Sequence, residues 1–336
     1  MRNPSHAPEW RTERFDVVRI EQASDLPRPD RRVTEVALLD MNHGYANVGH
    51  DAIVALVRDA VVALDDKLMH ENRRVRVLSY AVRDRLMVPD HATGRHRLYL
   101  GTGGPGHLDP RLNTHDRGAQ EISEDPSWEA PLWRLFEAIA SDEDAAMYAV
   151  CHTFGLMCRW SGAAQPSLRG PEKGGPMSGV GTNVLTPEAI AHPWFASLAS
   201  GDTRGAVPVL DSRYYDLIPT GAGFGTGAIP IAYEASRHGD GAGDALTMLE
   251  LAREADGTAP RMFGVNSHPE IGTSERVREL RDRMLASGVL SAEVHEQRSA
   301  MLPMLRNERR DERLAVGRRV FGELVQRKLD RLVHAA

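Results

Sequence analysis

The chain has 336 residues, with 41 Lys and Arg against 47 Asp and Glu, hence a formal net charge of −6. Hydrophobic residues make up 41% and charged ones 26%, an ordinary globular composition with enough apolar material for one large or two modest domains. The mild acidic balance argues against a protein that coats nucleic acid. The only two cysteines, Cys151 and Cys158, exclude a disulfide scaffold and a cysteine-based zinc site, and point to a reducing, cytoplasmic setting.

Residues 1–32 are polar, carry Pro4, Pro8, Pro27 and Pro29, and show no apolar run behind their charges. They read as an extension rather than a secretory signal. A short apolar run at 33–39 predicts a buried strand, and 40–49 a turn-rich loop. Residues 52–64 repeat Ile53, Val54, Val57, Val61 and Val62 at helical spacing. Arg58 and Asp59 interrupt 53–64, the longest apolar stretch, so no membrane span is expected. Strands are predicted at 75–82, 96–100 and 145–150, with an amphipathic helix at 132–140. This alternation predicts an α/β protein with a doubly wound, mostly parallel sheet flanked by helices.

Between 161 and 181, nine of 21 residues are Gly or Pro, which predicts a long surface loop. Further strands are expected at 207–210, 228–234 and 261–265. From Ser274 the pattern is helical, and a last helix over 308–333 sets Val316, Val320, Phe321, Leu324, Val325 and Leu332 on one side. The expected organisation is a polar arm at 1–32, a catalytic domain at 33–272 and a helical extension at 273–336. Residues 301–336 hold nine Lys and Arg against five Asp and Glu. Their signs alternate, as in Glu308, Arg309, Arg310, Asp311, Glu312 and Arg313, which reads as a solvated helix face. Packing or homodimerisation through these helices is expected, without membrane or nucleic-acid binding.

Three strand ends carry the chemistry. The strand at 145–150 runs into Cys151, and His152 begins a predicted helix. A thiol at such a turn is pushed clear of the sheet, and the helix N-terminus favours both the thiolate and a developing oxyanion. The strand at 96–100 enters the run Gly101-Thr102-Gly103-Gly104-Pro105-Gly106, whose backbone N–H groups can approach a substrate oxygen. The strand at 261–265 delivers His268, with Glu270 two residues on to orient the imidazole.

This order, Gly-Gly-Pro loop, elbow cysteine, then His-Pro-Glu, resembles the class I glutamine amidotransferase family. His192-Pro193-Trp194-Phe195 and Ile218-Pro219 look like two further family segments, and the resemblance covers about 70% of the chain, from Val33 to Gly272. It implies a glutaminase-type α/β fold with Cys151 as nucleophile, His268 as general base and acid, and Glu270 as orienting carboxylate. It further implies an oxyanion hole from the backbone of Gly103, Gly104 and His152, with no cofactor and no metal. The substrate is then a small-molecule amide, and ammonia from glutamine would need a separate acceptor (synthetase) subunit, unless the protein acts alone.

The departures fall on recognition positions. The family elbow reads Gly-x-Cys-x-Gly-x-Gln, whereas Thr153 and Gly155 stand here in place of its second glycine and its glutamine. The later Ser-His-type segment appears as Asp211-Ser212-Arg213-Tyr214, which puts Ser212 and Tyr214 among the expected substrate contacts. Three readings remain open: an altered amide or γ-glutamyl substrate, a catalytically silent ligand-binding relative, or an acyltransferase using the same triad. The glycine-rich run 221–227 lacks the Lys-Ser/Thr of a phosphate loop and reads as a hairpin or lid. Cys158, about 10 Å along the elbow helix from Cys151, is expected to be core. His43, His50 and His107 fall in loops at strand ends, and no metal-ligand spacing appears among the fourteen histidines.

Overall fold

A computed structural model of the chain describes residues 12–44, 48–113, 122–199, 205–221, 224, 227–236, 241–272, 282, 285–286 and 308–334. Six strands form the parallel part of the sheet. They are β1 (Phe15–Ile20), β2 (Val33–Asp40), β3 (Arg74–Ala81), β4 (Leu98–Gly101), β5 (Ala146–Val150) and β12 (Pro260–Val265), in the spatial order β1-β3-β2-β4-β5-β12. Antiparallel strands continue it as β11 (Ala242–Arg253), β10 (Ile229–Ala235), β7 (Met177–Leu185) and β8 (Ala206–Arg213). A separate ribbon pairs β6 (Ala164–Leu168) with β9 (Tyr215–Pro219).

The near-continuous apolar strands follow from burial on both faces, which parallel sheets require. Every residue of β2 is buried. Val36 and Leu38 point into one core, Ala37 and Leu39 into the other, as the period of two dictates. The first core is closed by α1 (Val48–Ala63) and α7 (Glu308–His334), through residues such as Ile53, Val57, Phe321 and Leu324. The second is closed by α4 (Glu129–Ser141) and α5 (His152–Ser161), through Leu132, Phe136, Phe154 and Met157.

Several expectations change. The supposed N-terminal arm contains β1, an edge strand whose Phe15 and Ile20 are buried and whose backbone pairs with β3 from Val75 to Tyr80. The glycine- and proline-rich stretch 161–181 is not one loop: it holds β6 and the start of β7. β6 is polar (AQPSL) because it lies in a two-stranded ribbon with much of its surface in solvent. β11, rich in helix formers (DALTMLELAR), is a strand because its neighbours β10 and β12 fill both of its edges.

The expected C-terminal helix is present, and it packs as a layer of the fold. Leu314, Val320, Leu324, Val325, Leu329 and Val333 are buried against the chain's own sheet and α1, and Phe321 meets the Tyr148 ring edge-on at 6.3 Å. Its charged face is tied down as well, by Arg327 and Arg331 on Glu254 and Asp256 and by Lys328 on the Asp144 carbonyl at 2.6 Å. A contact between copies through α7 is left with the remaining exposed face. Of the helix expected from Ser274, only Asp282, Leu285 and Ala286 are described, as helix; the rest lies outside the described residues. No helix among the described residues is long and apolar enough to cross a membrane.

Candidate active site

Sheet register decides which strand ends meet. Gly101 of β4 pairs with Ala149 of β5, and Val150 pairs with Val265 of β12. The loops after these three strands therefore emerge side by side at the carboxyl edge, where open α/β sheets place their ligands.

Cys151 occupies the turn between β5 and α5 with φ 47° and ψ −104°. A non-glycine residue there is strained and persists only where its surroundings impose it. Here the Cys151 N–H donates to Val265 O at 2.7 Å, and Cys151 O accepts from Gly155 N at 2.9 Å. The thiol is half-buried, with Sγ 3.9 Å from the Ser212 carbonyl.

The His268 N–H donates to Leu210 O at 2.7 Å, which ties the β12 loop to β8. The imidazole Nδ1 lies 2.8 Å from Glu270 Oε1, and the ring and the Cys151 side chain both border Gly103. Burial works against the imidazolium, yet the charge and hydrogen bond of Glu270 and the neighbouring Cys151 thiol hold His268 well above its ordinary range. Gly103 completes the cluster: a Cβ there would stand 3.0 Å from His268 Cε1 and 3.4 Å from Cys151 Cβ. Cys151, His268, Glu270 and Gly103 thus converge, with the means to activate a thiol and move a proton to or from a bound group.

The other expected residues are placed as follows. Gly104 lies hard against the Met41 carbonyl, and the His152 imidazole lies next to it. That ring is buried and is held well below its usual range by burial and the nearby Arg83 and Arg159 charges. Its Nε2 has no partner among the described residues. Thr153 and Gly155 do not reach the thiol. Thr153 is fully buried, its hydroxyl donating to Thr102 O at 2.7 Å and its side chain packed over Gly101, while Gly155 packs beneath Leu108. The Thr153 side chain follows the α5 surface into the core, because two positions along a helix turn it away from Cys151, whereas Gly155, one turn on, has no side chain to present. Ser212 meets the site through its backbone, and Tyr214 is 49% exposed.

Cys158 is buried and free, and burial pushes its thiol up. His50 bonds Ser79 Oγ at 2.9 Å, and the His107 ring meets Tyr215 at 4.7 Å. In the family-like segment, His192 Nδ1 accepts from Trp194 N at 2.9 Å and Nε2 faces Glu250 Oε2 at 3.2 Å. Phe195 then stacks on Phe263 of β12 at 4.8 Å, so this segment buttresses the strand that carries His268. The glycine-rich run 221–227 lies largely outside the described residues. Among the described residues no cluster of three or more His, Cys, Asp or Glu could hold a metal ion.

Sequence reasoning missed the charged groups behind the site. Asp211, fully enclosed and raised by burial, feels the His268 charge and pairs with Arg213. Arg213 continues to Asp216 at 3.1 Å, and Arg169 joins Asp216 to Glu234. These residues lie on β8, β9 and β10 and, for Arg169, just past the end of β6, and their meeting depends on pairings across up to 65 residues of sequence. Behind His268, an apolar cavity reaches between β8, β12 and α7, lined by Phe195, Leu210, Met248, Phe263 and Phe321.

No family model matches the sequence, and no curated protein matches it. Solved structures do match in fold. A glutamine amidotransferase from Thermotoga maritima superposes with a TM-score of 0.50 at 12% identity, covering 90% of this chain and 98% of that one. A glutamine amidotransferase from Methylobacillus flagellatus gives 0.47 at 15% identity, over 89% and 94%. The glutaminase domain of a Trypanosoma brucei CTPS, with bound acivicin, gives 0.45 at 10% identity, over 71% and 87%. The architecture is the α/β fold of class I glutamine amidotransferases.

Proposed function

We propose that this protein is a cysteine-dependent amide hydrolase or amidotransferase that works through a thioester on Cys151. The observation that carries the reading is the contact chain from a strained elbow thiol through His268 to a fully buried Glu270. Cys151 attacks the amide carbon as thiolate, and the oxyanion that forms lies by the N–H groups of the 103–104 loop and of His152. His268 passes a proton to the departing nitrogen, then draws one from the water or amine that opens the thioester. Glu270 holds the imidazole in one tautomer and offsets its charge.

The substrate is a small amide or γ-glutamyl compound. Neither Thr153 nor Gly155 offers a side chain to it, so its recognition falls to β8, where the Ser212 carbonyl lies 3.9 Å from the thiol and Asp211 feels the His268 charge. An acceptor on a separate subunit would make it an amidotransferase; acting alone it is a hydrolase. A cytoplasmic, reducing setting keeps both thiols free.

Labelling followed by intact mass tests this. Iodoacetamide should add one group at Cys151, sparing Cys158, faster at pH 6 than with free cysteine. A glutamine-shaped chloromethyl ketone should label Cys151 more slowly than iodoacetamide, relative to their rates with free cysteine, because the recognition positions are altered. A Cys151 that reacts no faster than free cysteine would make this a binding protein with a silent triad.

A further inference from the structure

Arg83 belongs to no part of the site described above, yet it is 1% exposed and forms, with Glu124, an ion pair in which both side chains are wholly enclosed. It stands in α3 (Val82–Arg85), the single turn that follows β3. Nε and Nη2 donate to the two Glu124 oxygens at 2.8 and 2.7 Å, a bidentate grip that fixes the plane of the guanidinium. Nη1 is thereby aimed at two backbone carbonyls, Met41 O at 2.9 Å and Pro105 O at 2.6 Å. Pro105 lies in the glycine-rich loop itself, and Met41 O is the group against which Gly104 is pressed.

The same loop is pinned from other sides. The Thr102 hydroxyl accepts from Met41 N at 2.9 Å and donates to Gly103 O at 2.8 Å. Asn113 bonds Glu124 and accepts from His107 N at 2.5 Å. In a planar trans peptide the carbonyl and the following N–H point in opposite directions. Holding Gly103 O on Thr102 therefore turns the Gly104 N–H away from Thr102, and holding Met41 and Pro105 stops that peptide from rotating back. Enclosing an ion pair adds little stability by itself, because desolvation offsets the attraction. An enclosed pair whose Nη1 clamps the glycine-rich loop at Pro105 and the Met41 carbonyl against which Gly104 rests is explained by what it positions.

We infer that Arg83, gripped by Glu124, is a positioning residue that sets the 103–105 loop as an oxyanion hole. The inference rests on the reading of Cys151 as an acyl-accepting nucleophile. It predicts a separation between two reactions of one thiol. Alkylation by iodoacetamide develops no oxyanion; acylation by p-nitrophenyl acetate does, and losing one oxyanion donor typically costs about 100- to 1000-fold. Arg83→Lys keeps a charge beside Glu124 but cannot span both carbonyls. It should slow Cys151-dependent p-nitrophenolate release by about 10- to 100-fold, as a partial loss of that donor geometry. Its alkylation rate and the pH midpoint of alkylation should stay at the wild-type values. Glu124→Gln, which keeps the shape of the pair and loosens the grip, is the second variant, with the same separation expected should Arg83→Lys not fold. Equal slowing of both reactions, or unchanged acylation, overturns the positioning role. If wild-type protein shows no acylation beyond that of Cys151→Ser, the reading of Cys151 itself fails, and the inference with it.

Discussion

His268 Nδ1 lies 2.8 Å from Oε1 of Glu270, a carboxylate with no exposed surface, and the two residues are separated by a single proline. The short spacing makes the pair local: when β12 delivers the histidine, its partner comes with it. Burial alone would drive His268 towards the neutral form, and the Glu270 charge reverses that.

Replacing Glu270 with Gln should let burial prevail and bring the imidazole down. Alkylation of Cys151 at pH 6 should then slow by about tenfold for each unit by which His268 falls. The sign for stability is also set. A histidine raised in the folded state contributes fully below pH 6.5, and the contribution is lost as pH rises through the folded value. Urea midpoints of wild type and Glu270→Gln should therefore differ most at acidic pH and converge in alkali.

The two loop glycines should separate chemistry from folding. At Gly103 a methyl would press on His268 and Cys151 by only a few tenths of an ångström. Gly103→Ala should keep its melting temperature within a few degrees and lose activity by at least about tenfold, since a small misplacement of reacting groups is costly. At Gly104 the methyl would collide with the Met41 backbone. Gly104→Ala should destabilise by about 1–3 kcal/mol, read from the urea midpoint at constant slope.

Part of the acid sensitivity should trace to His96, alongside the buried His152. His96 is buried between Tyr80, whose hydroxyl is 2.8 Å from Nε2, and the Glu35 carbonyl, and burial lowers it to about 4. The unfolded chain takes up this proton near pH 6.5 and the folded one does not, so stability present above 6.5 is lost as pH falls towards 4. The loss is at most about 3 kcal/mol. His96→Gln should show a flatter decline of melting temperature between pH 6.5 and 4.5; an unchanged slope would assign the acid loss to other groups.

Leu324 tests whether the last helix is integral. It is fully buried among α1 and sheet residues. Leu324→Ala should cost about 2–5 kcal/mol in a single cooperative transition. Two transitions, or a cost below about 1 kcal/mol, would mean that α7 unfolds as a separate unit.

By itself the sequence determined the alternation of apolar strands with amphipathic helices, the turn that presents Cys151, and the His268–Glu270 pair, because each is encoded within a few neighbouring residues. Tertiary structure decided what depends on distant partners. Phe15–Ile20 is a strand only because β3 offers an edge, and β11 overrides its helix formers only between β10 and β12. Thr153 looks like a pocket residue from its place two positions after the thiol, and helix geometry turns it into the core over Gly101. Arg83 reaches Pro105 across 22 residues and Glu124 across 41. Local spacing carries no trace of such contacts, since burial of a charge and the carbonyls it serves exist only once the sheet has closed around them.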